Sequence, residues 1–279
     1  MVFNSATNLV QTVIDEAFSL KDFLYGLDAK LWAQDSTSEG WTIEDVVSHL
    51  AGGANGWATN IARAVAGDSE PPEGQSFLPP GERGSHPSGP VARESRNQSG
   101  ARILDAFDTG HARLRKVLKE LHSEDWDKPC FHRRGVLPVK AYVGLQLQEL
   151  VLHSWDIRWG LDKKADISEI SLPFLIDLVP RWLSSAFMPD LALPLPVRYR
   201  FDVSSPMTLR KDLVITGNAY HSSPCGTEVV DATFKGDTGN YILLMFGRLQ
   251  VERAVADGRL SVEGSMEQAK KFNAWFKGF

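Results

Sequence analysis

One stretch of this chain, AYVGLQLQELVLHSW, carries a single formally charged side chain, Glu149. Its neighbours Leu145, Leu147, Leu150, Val151, Leu152 and Trp155 point in nearly every helical direction. A helix apolar on all sides is a buried helix, and a lone carboxylate inside one must be protonated, paired or bound to a cation. His153 follows Glu149 by four residues, on the same helix face. The pair can therefore grip one ion, as in helical zinc motifs, with a glutamate in place of the first histidine.

A third ligand candidate, His49, lies about a hundred residues upstream in GWTIEDVVSHLAGGANGW. Thr42 and Asp45 form a capping-box signature at a helix start. Val46, Val47, Leu50, Ala54, Trp57 and Ile61 supply an apolar stripe, and Gly52, Gly53 and Gly56 follow His49 on its own side. Each helical glycine costs about 1 kcal/mol relative to alanine, so three beside a histidine suggest room kept for something bulky. A core histidine between closely packed helices fits the same residues.

The 279 residues form one or two domains of ordinary globular composition, 43% hydrophobic and 23% charged. A net charge of −5 without basic runs argues against nucleic acid or an anionic membrane surface as partner. No apolar run approaches the roughly 20 residues of a membrane span, and no secretory signal opens the chain. Cys130 and Cys225 read as reduced thiols, so a cytoplasmic location is expected.

Helical periodicity covers 6–34, about 42–66, 91–121 and the Glu149 helix, which Pro138 opens; a Pro/Gly-rich connection at 68–90 separates the second and third. This predicts a four-helix bundle, a scaffold that builds metal sites from facing helices. A second apolar helix is expected before about 190, with Pro180 kinking or dividing it. Beyond it the period changes to two: LPVRYRFDV, KDLVITG, GTEVVDATFKG and NYILLMFGRL read as strands. An amphipathic helix, SMEQAKKFNAWFKGF, ends the chain. The fold class expected is α+β, with a helix bundle over 1–165 and a smaller α+β part over 166–279.

GWTIEDVVSHLAG and QELVLHSWDI together resemble the N-terminal domain of the mycothiol-dependent maleylpyruvate isomerase family, within the broader DinB-like helix bundles. FGRL, GRLSVEG and the final helix are similar to the sterol-carrier-like C-terminal domain of the same family. The resemblance implies that His49, Glu149 and His153 bind a divalent metal, zinc first, with ferrous iron open on ligand type alone. It also implies mycothiol or a similar thiol as cosubstrate, because a bound dication deprotonates a coordinated thiol. The implied reaction adds thiolate to an activated cis double bond of a small unsaturated acid, followed by rotation and elimination to the trans isomer.

Such a reaction needs a cation near the developing negative charge. Arg248 is the candidate, although a structural salt bridge would also explain it. Asp156, three residues after His153, is a candidate to orient that ligand; capping or pairing with Arg158 are its alternatives. Cys130-Phe131-His132 reads as a solvated loop, His111 as a surface residue among Asp108, Arg113 and Arg115, and His86 and His221 as loop residues without chemistry. Trp41 and Trp155 flank the ligands in sequence and could wall the pocket. Two other functions fit the scaffold: a thiol S-transferase or other metal-dependent enzyme, and a non-enzymatic carrier of an apolar ligand. A structural zinc would usually have four protein ligands, which disfavours the carrier.

Overall fold

The structure is a computed structural model that describes residues 6–79, 100–190, 193 and 195–278. The stretch 80–99, which holds the second half of the Pro/Gly-rich connection and the expected start of the third helix, lies outside the described residues, as does His86. The chain divides into two compact units, Met1–Phe174 and Leu175–Phe279.

The first unit contains four long helices: α1 (Ala6–Tyr25), α2 (Ile43–Val65), α3 (Gly100–Lys119) and α4 (Val139–Leu161). The capping box at α2 forms, with the Thr42 hydroxyl accepting from the Asp45 N–H and Asp45 accepting from the Thr42 N–H. α1 stops at Tyr25, short of the expected end near Trp32. Gly26 follows it, and Asp28 caps a separate short turn, Ala29–Leu31, by accepting from the Lys30 N–H at 3.0 Å. α4 is buried around its whole circumference: Val143, Leu147, Leu150, Leu152, Trp155 and Ile157 are each no more than 3% exposed. α3 packs tightly on α2 at Gly110, where an added Cβ would sit 2.9 Å from the Ala51 carbonyl.

A short hairpin, β1 (Pro129–Cys130) with β2 (Leu137–Pro138), precedes α4. It corrects the expectation of a solvated loop, since Cys130 and Phe131 are buried. Burial pushes the Cys130 thiol up to about 12, which makes it a poor nucleophile. Phe77 packs against Phe131 with centroids 5.2 Å apart, and the Leu78 N–H donates to the Arg133 carbonyl at 2.7 Å. The described part of the Pro/Gly-rich connection is thus tied to this hairpin. Helix α5 (Leu172–Ala186) continues through Pro180.

The second unit is built on a five-stranded sheet of β3 (Val197–Val203), β4 (Leu209–Ile215), β5 (Tyr220–Pro224), β6 (Ala232–Gly236) and β7 (Ser261–Gly264). The spatial order is β5-β4-β3-β6-β7, antiparallel except for β3 beside β6. β3 alternates as its sequence requires, with Val197, Tyr199, Phe201 and Val203 buried and Arg198, Arg200 and Asp202 on the other face. The inner face meets α8 (Met266–Trp275): Tyr199, Phe201 and Phe234 all lie 5.6 Å from the Phe272 ring.

NYILLMFGRL is not a strand. Thr238–Met245 forms helix α6, N-capped by Asp237, whose carboxylate accepts from the Asn240 N–H. Tyr241 to Phe246 are all buried, so this run has no period of two, and Gly247 at φ 72° ends the helix. A further short helix, α7 (Val251–Ala256), follows. In GTEVVDATFKG only Ala232–Gly236 is a strand. No helix among the described residues is long and apolar enough to cross a membrane.

Candidate metal centre

α2 supplies His49, and α4 supplies Glu149 and His153. His49 Nε2 lies 3.0 Å from Glu149 Oε2, and His153 Nε2 lies 3.4 Å from the same oxygen. The three donor atoms fall within 4.8 Å of one another, so the sequence's three candidates form one cluster. Ligands held at about 2.0–2.1 Å around a tetrahedral ion are separated by roughly 3.3 Å. The observed spacings suit a single divalent ion, and a donor set of two imidazoles and one carboxylate suits zinc.

The donors are sheltered without being sealed: the side chains of His49, Glu149 and His153 are 16%, 26% and 12% exposed. Burial alone would raise the Glu149 pKa. Hydrogen bonds from His153 and His49 outweigh it and hold the carboxylate well below its ordinary range. Burial would lower His153, yet its bonds to Asp156 and Glu149 raise it to about 9. The cluster therefore gathers negative charge between two imidazoles, which is the electrostatic demand that a cation meets.

Asp156, fully buried, reaches His153 Nδ1 through Oδ2 at 3.0 Å. A carboxylate can only accept, so Nδ1 carries a hydrogen toward Asp156. With both ring nitrogens facing carboxylates, Nε2 also carries a hydrogen, toward Glu149, and a bound cation would replace that proton. Asp156 also accepts from the Thr37 hydroxyl at 3.0 Å and the Ser38 hydroxyl at 2.9 Å. Thr37 and Ser38 escaped the sequence reading. Nothing local marks them, because they reach Asp156 from about 120 residues away. Arg158 instead donates to the Ser154 hydroxyl and to Ser19.

The same loop carries Trp41, whose ring stacks on His153 at 6.1 Å and meets His49 edge-on at 5.2 Å. Trp155 does not join it. It is 2% exposed, stacks on Trp159 and donates to the Ala165 carbonyl. Beyond His49 on α2, a Cβ on Gly52 or Gly56 would meet nothing within 4 Å. Further along α2, Asn60 donates to the Tyr142 hydroxyl at 2.8 Å.

Arg248 belongs to the second unit. It lies in the turn after α6 rather than at a strand end, with its N–H donating to the Leu243 carbonyl at 2.8 Å. His111 is buried, not on the surface, and its ring lies 4.0 Å from Phe107. His221 is an exposed residue of β5.

A helix bundle that brings two histidines and a glutamate together, followed by a sterol-carrier-like α+β unit, defines the class of this protein. The family model "Mycothiol maleylpyruvate isomerase N-terminal domain" matches residues 15–158, and "SCP-2 sterol transfer family" matches residues 189–277. The chain belongs to the mycothiol maleylpyruvate isomerase family. Among solved structures it is similar to a mycothiol-dependent maleylpyruvate isomerase, with TM-score 0.63 and 15% identity over 88% of this chain and 90% of that one. It is also similar to a histidine-to-alanine mutant of such an isomerase, with TM-score 0.65 and 14% identity over 93% of each chain. At these identities the likeness is one of fold. A search of curated proteins found no match.

Proposed function

We propose that this protein is a metal-dependent enzyme that uses a low-molecular-weight thiol, mycothiol or a close analogue, to isomerise a small cis-unsaturated acid of the maleylpyruvate type. The observation that carries this reading is the three-donor cluster at His49, Glu149 and His153, on the domain that gives the family its name. A divalent metal held there, zinc first, would supply Lewis acidity that lowers the pKa of a coordinated thiol.

The chain's own groups have separable roles in this proposal. Asp156 holds the His153 proton on Nδ1, which keeps the Nε2 lone pair available. Trp41 walls one side of the cluster, and Gly52 and Gly56 leave space beside His49 for an external molecule. Neither α2 nor α4 contains a cysteine, which supports a thiol supplied from outside. Arg248, the sequence's candidate for a cation that offsets negative charge on the substrate, is tested by Arg248→Met against Arg248→Lys, with turnover lost in the first and kept in the second supporting that role.

The test is metal analysis of protein purified without a metal-affinity tag, followed by turnover of maleylpyruvate with and without mycothiol. The expected result is about one equivalent of metal and turnover that needs the thiol. His153→Ala should lose both metal and activity. Equal turnover without thiol would replace this reading with metal–water chemistry. The match of 189–277 to the sterol-transfer family supports a second reading, a carrier of apolar ligands. Tight binding of an apolar ligand with no turnover of any thiol substrate would select it.

A further inference from the structure

Four polar side chains of α4 fall on one helical stripe. Tyr142, Gln146, Glu149 and His153 are spaced by four, three and four residues, which returns each to the same side of the helix. Three of them are answered. Glu149 Oε2 lies 3.0 Å from His49 Nε2 with His153 beside it, and the Tyr142 hydroxyl accepts from Asn60 at 2.8 Å. Since His49 meets Glu149 and Asn60 meets Tyr142, α2 and α4 run antiparallel. Gln146 therefore sits between those two contacts, on the side of α4 that faces the glycines of α2.

Gln146 is the one left unanswered. It is 2% exposed, and its Nε2 is sealed without a hydrogen-bond partner among the described residues. Its Oε1 has no described partner either but is not sealed, so the amide meets open space at one end. A half-turn of the last torsion exchanges nitrogen and oxygen without changing the shape. Across from it, a Cβ on Gly52 or Gly56 would meet nothing within 4 Å. The Trp57 indole packs on Tyr142 with centroids 4.2 Å apart, and its Nε1 would lie 3.7 Å from a Cβ on Gly53. Neither 50–60 on α2 nor 142–148 on α4 contains a charged residue.

Buried amides are nearly always paired, so an unpaired one beside a glycine-lined strip marks the place of an oxygen from a bound molecule. A carboxylate would lose its hydration there with no cation to offset the loss. An uncharged strip with amide and indole donors suits a neutral oxygen, which favours the body of the thiol over the acid.

We propose that Gln146 is a specificity residue of the candidate metal site, donating to an amide carbonyl or hydroxyl oxygen of the thiol cosubstrate, whose neutral body lies along the glycine strip of α2. The assignment rests on the thiol-dependent reading above.

The test uses full-length protein loaded with cobalt(II), because the absorbance of a cobalt-bound thiolate reports binding without any turnover. N-Acetylcysteamine carries a neutral amide, and butane-1-thiol lacks it. Gln146→Met should weaken N-acetylcysteamine by about tenfold, the worth of one hydrogen bond to a buried amide, and leave butane-1-thiol within about threefold. The variant should keep its cobalt content and its urea midpoint, because an unpaired amide gives way to an apolar chain of similar size. Equal losses for the two thiols, or no loss for either, would overturn the proposal. A variant that unfolds or is clearly destabilised would also overturn it, by showing that the amide is satisfied within the protein. So would an effect confined to the KM of the acid, which would give Gln146 to that substrate. No thiolate band with either thiol on the unsubstituted protein would remove the thiol-dependent reading itself, and this role with it.

Discussion

Replacing Asp156 by asparagine is the sharpest test of how the candidate metal site is held together. Asp156 is fully buried, and its oxygens accept from His153 Nδ1 and from the Thr37 and Ser38 hydroxyls, at 2.9 to 3.0 Å. Asparagine keeps the shape and replaces one oxygen with a donor. Facing His153, the new NH₂ would confront Nδ1–H, and the imidazole would relieve the clash by giving up that proton and keeping the one on Nε2, the atom a cation would need free. Facing Thr37, it would reverse that hydroxyl and leave His153 with a weaker, neutral acceptor. Either outcome lowers zinc affinity, by about 10–100-fold or roughly 1.4–2.7 kcal/mol. Loss of charge-assisted bonds at a buried acceptor should also lower the stability of metal-free protein by about 1.5–3 kcal/mol. Zinc affinity by competition with a chromophoric chelator and stability by urea denaturation separate the two effects. If stability falls while zinc affinity stays within threefold, Asp156 braces the Thr37–Ser38 loop and does not tune His153.

Four further outcomes follow from particular contacts. Gly52→Ala adds a Cβ into open space and should stabilise the helix by up to about 1 kcal/mol, while raising KM for thiol or substrate if that space is used. Gly110→Ala should destabilise by about 1–3 kcal/mol despite the better helix former, because its Cβ meets the Ala51 carbonyl at 2.9 Å; thermal melts compare the pair. Asp212 is fully buried beneath Arg198 and Arg200, and their guanidinium bonds hold its pKa down, so Asp212→Asn should cost the second unit roughly 3 kcal/mol in denaturant titration. His111 sits at about 4 when folded and about 6.5 when unfolded, so the unfolded chain binds more protons between those values. Stability should therefore fall as pH drops from 6.5 toward 4, with a slope approaching about 1.4 kcal/mol per unit from this group, and His111→Phe should flatten it in denaturation curves at neutral and mildly acid pH.

The helical unit is legible in sequence where local chemistry decides. α4 declares itself through an apolar run broken only by Glu149 and too long for a strand, and α2 through its Thr42–Asp45 capping box and apolar stripe. The sheet is legible only at its centre. β3 alternates because one face is buried, but the edge strands β5 and β7 read YHSSP and SVEG and bury almost nothing. Edge strands are often short and polar, which strips them of the period of two. The 240–249 run fails for the opposite reason. Tyr241 to Phe246 are buried on every side, and an unbroken apolar run does not distinguish a buried strand from a buried helix. Asp237 and Gly247 are the local punctuation that settles it.

Within the metal centre, legibility tracks distance along the chain. The Glu149–His153 pair follows from helical geometry, but Asp156 meeting Thr37 and Ser38 depends on how a distant loop folds back. His111 shows a different failure. At one turn per 3.6 residues, Leu104, Phe107, His111, Leu114 and Leu118 form one stripe, and all five are buried. Of its charged neighbours, Asp108 pairs with Lys21 and Arg115 lies over Phe18 at the margin of this stripe, while Arg113 is exposed, so periodicity is the better guide here than immediate neighbours. Glu149 and His111 then pose the same physical question, since each is a polar group on an apolar stripe that its own helix cannot satisfy. For Glu149 the answer converges from His49 on a facing helix and leaves a negative centre for a cation. For His111 no described residue answers at Nε2, and burial keeps the ring neutral instead.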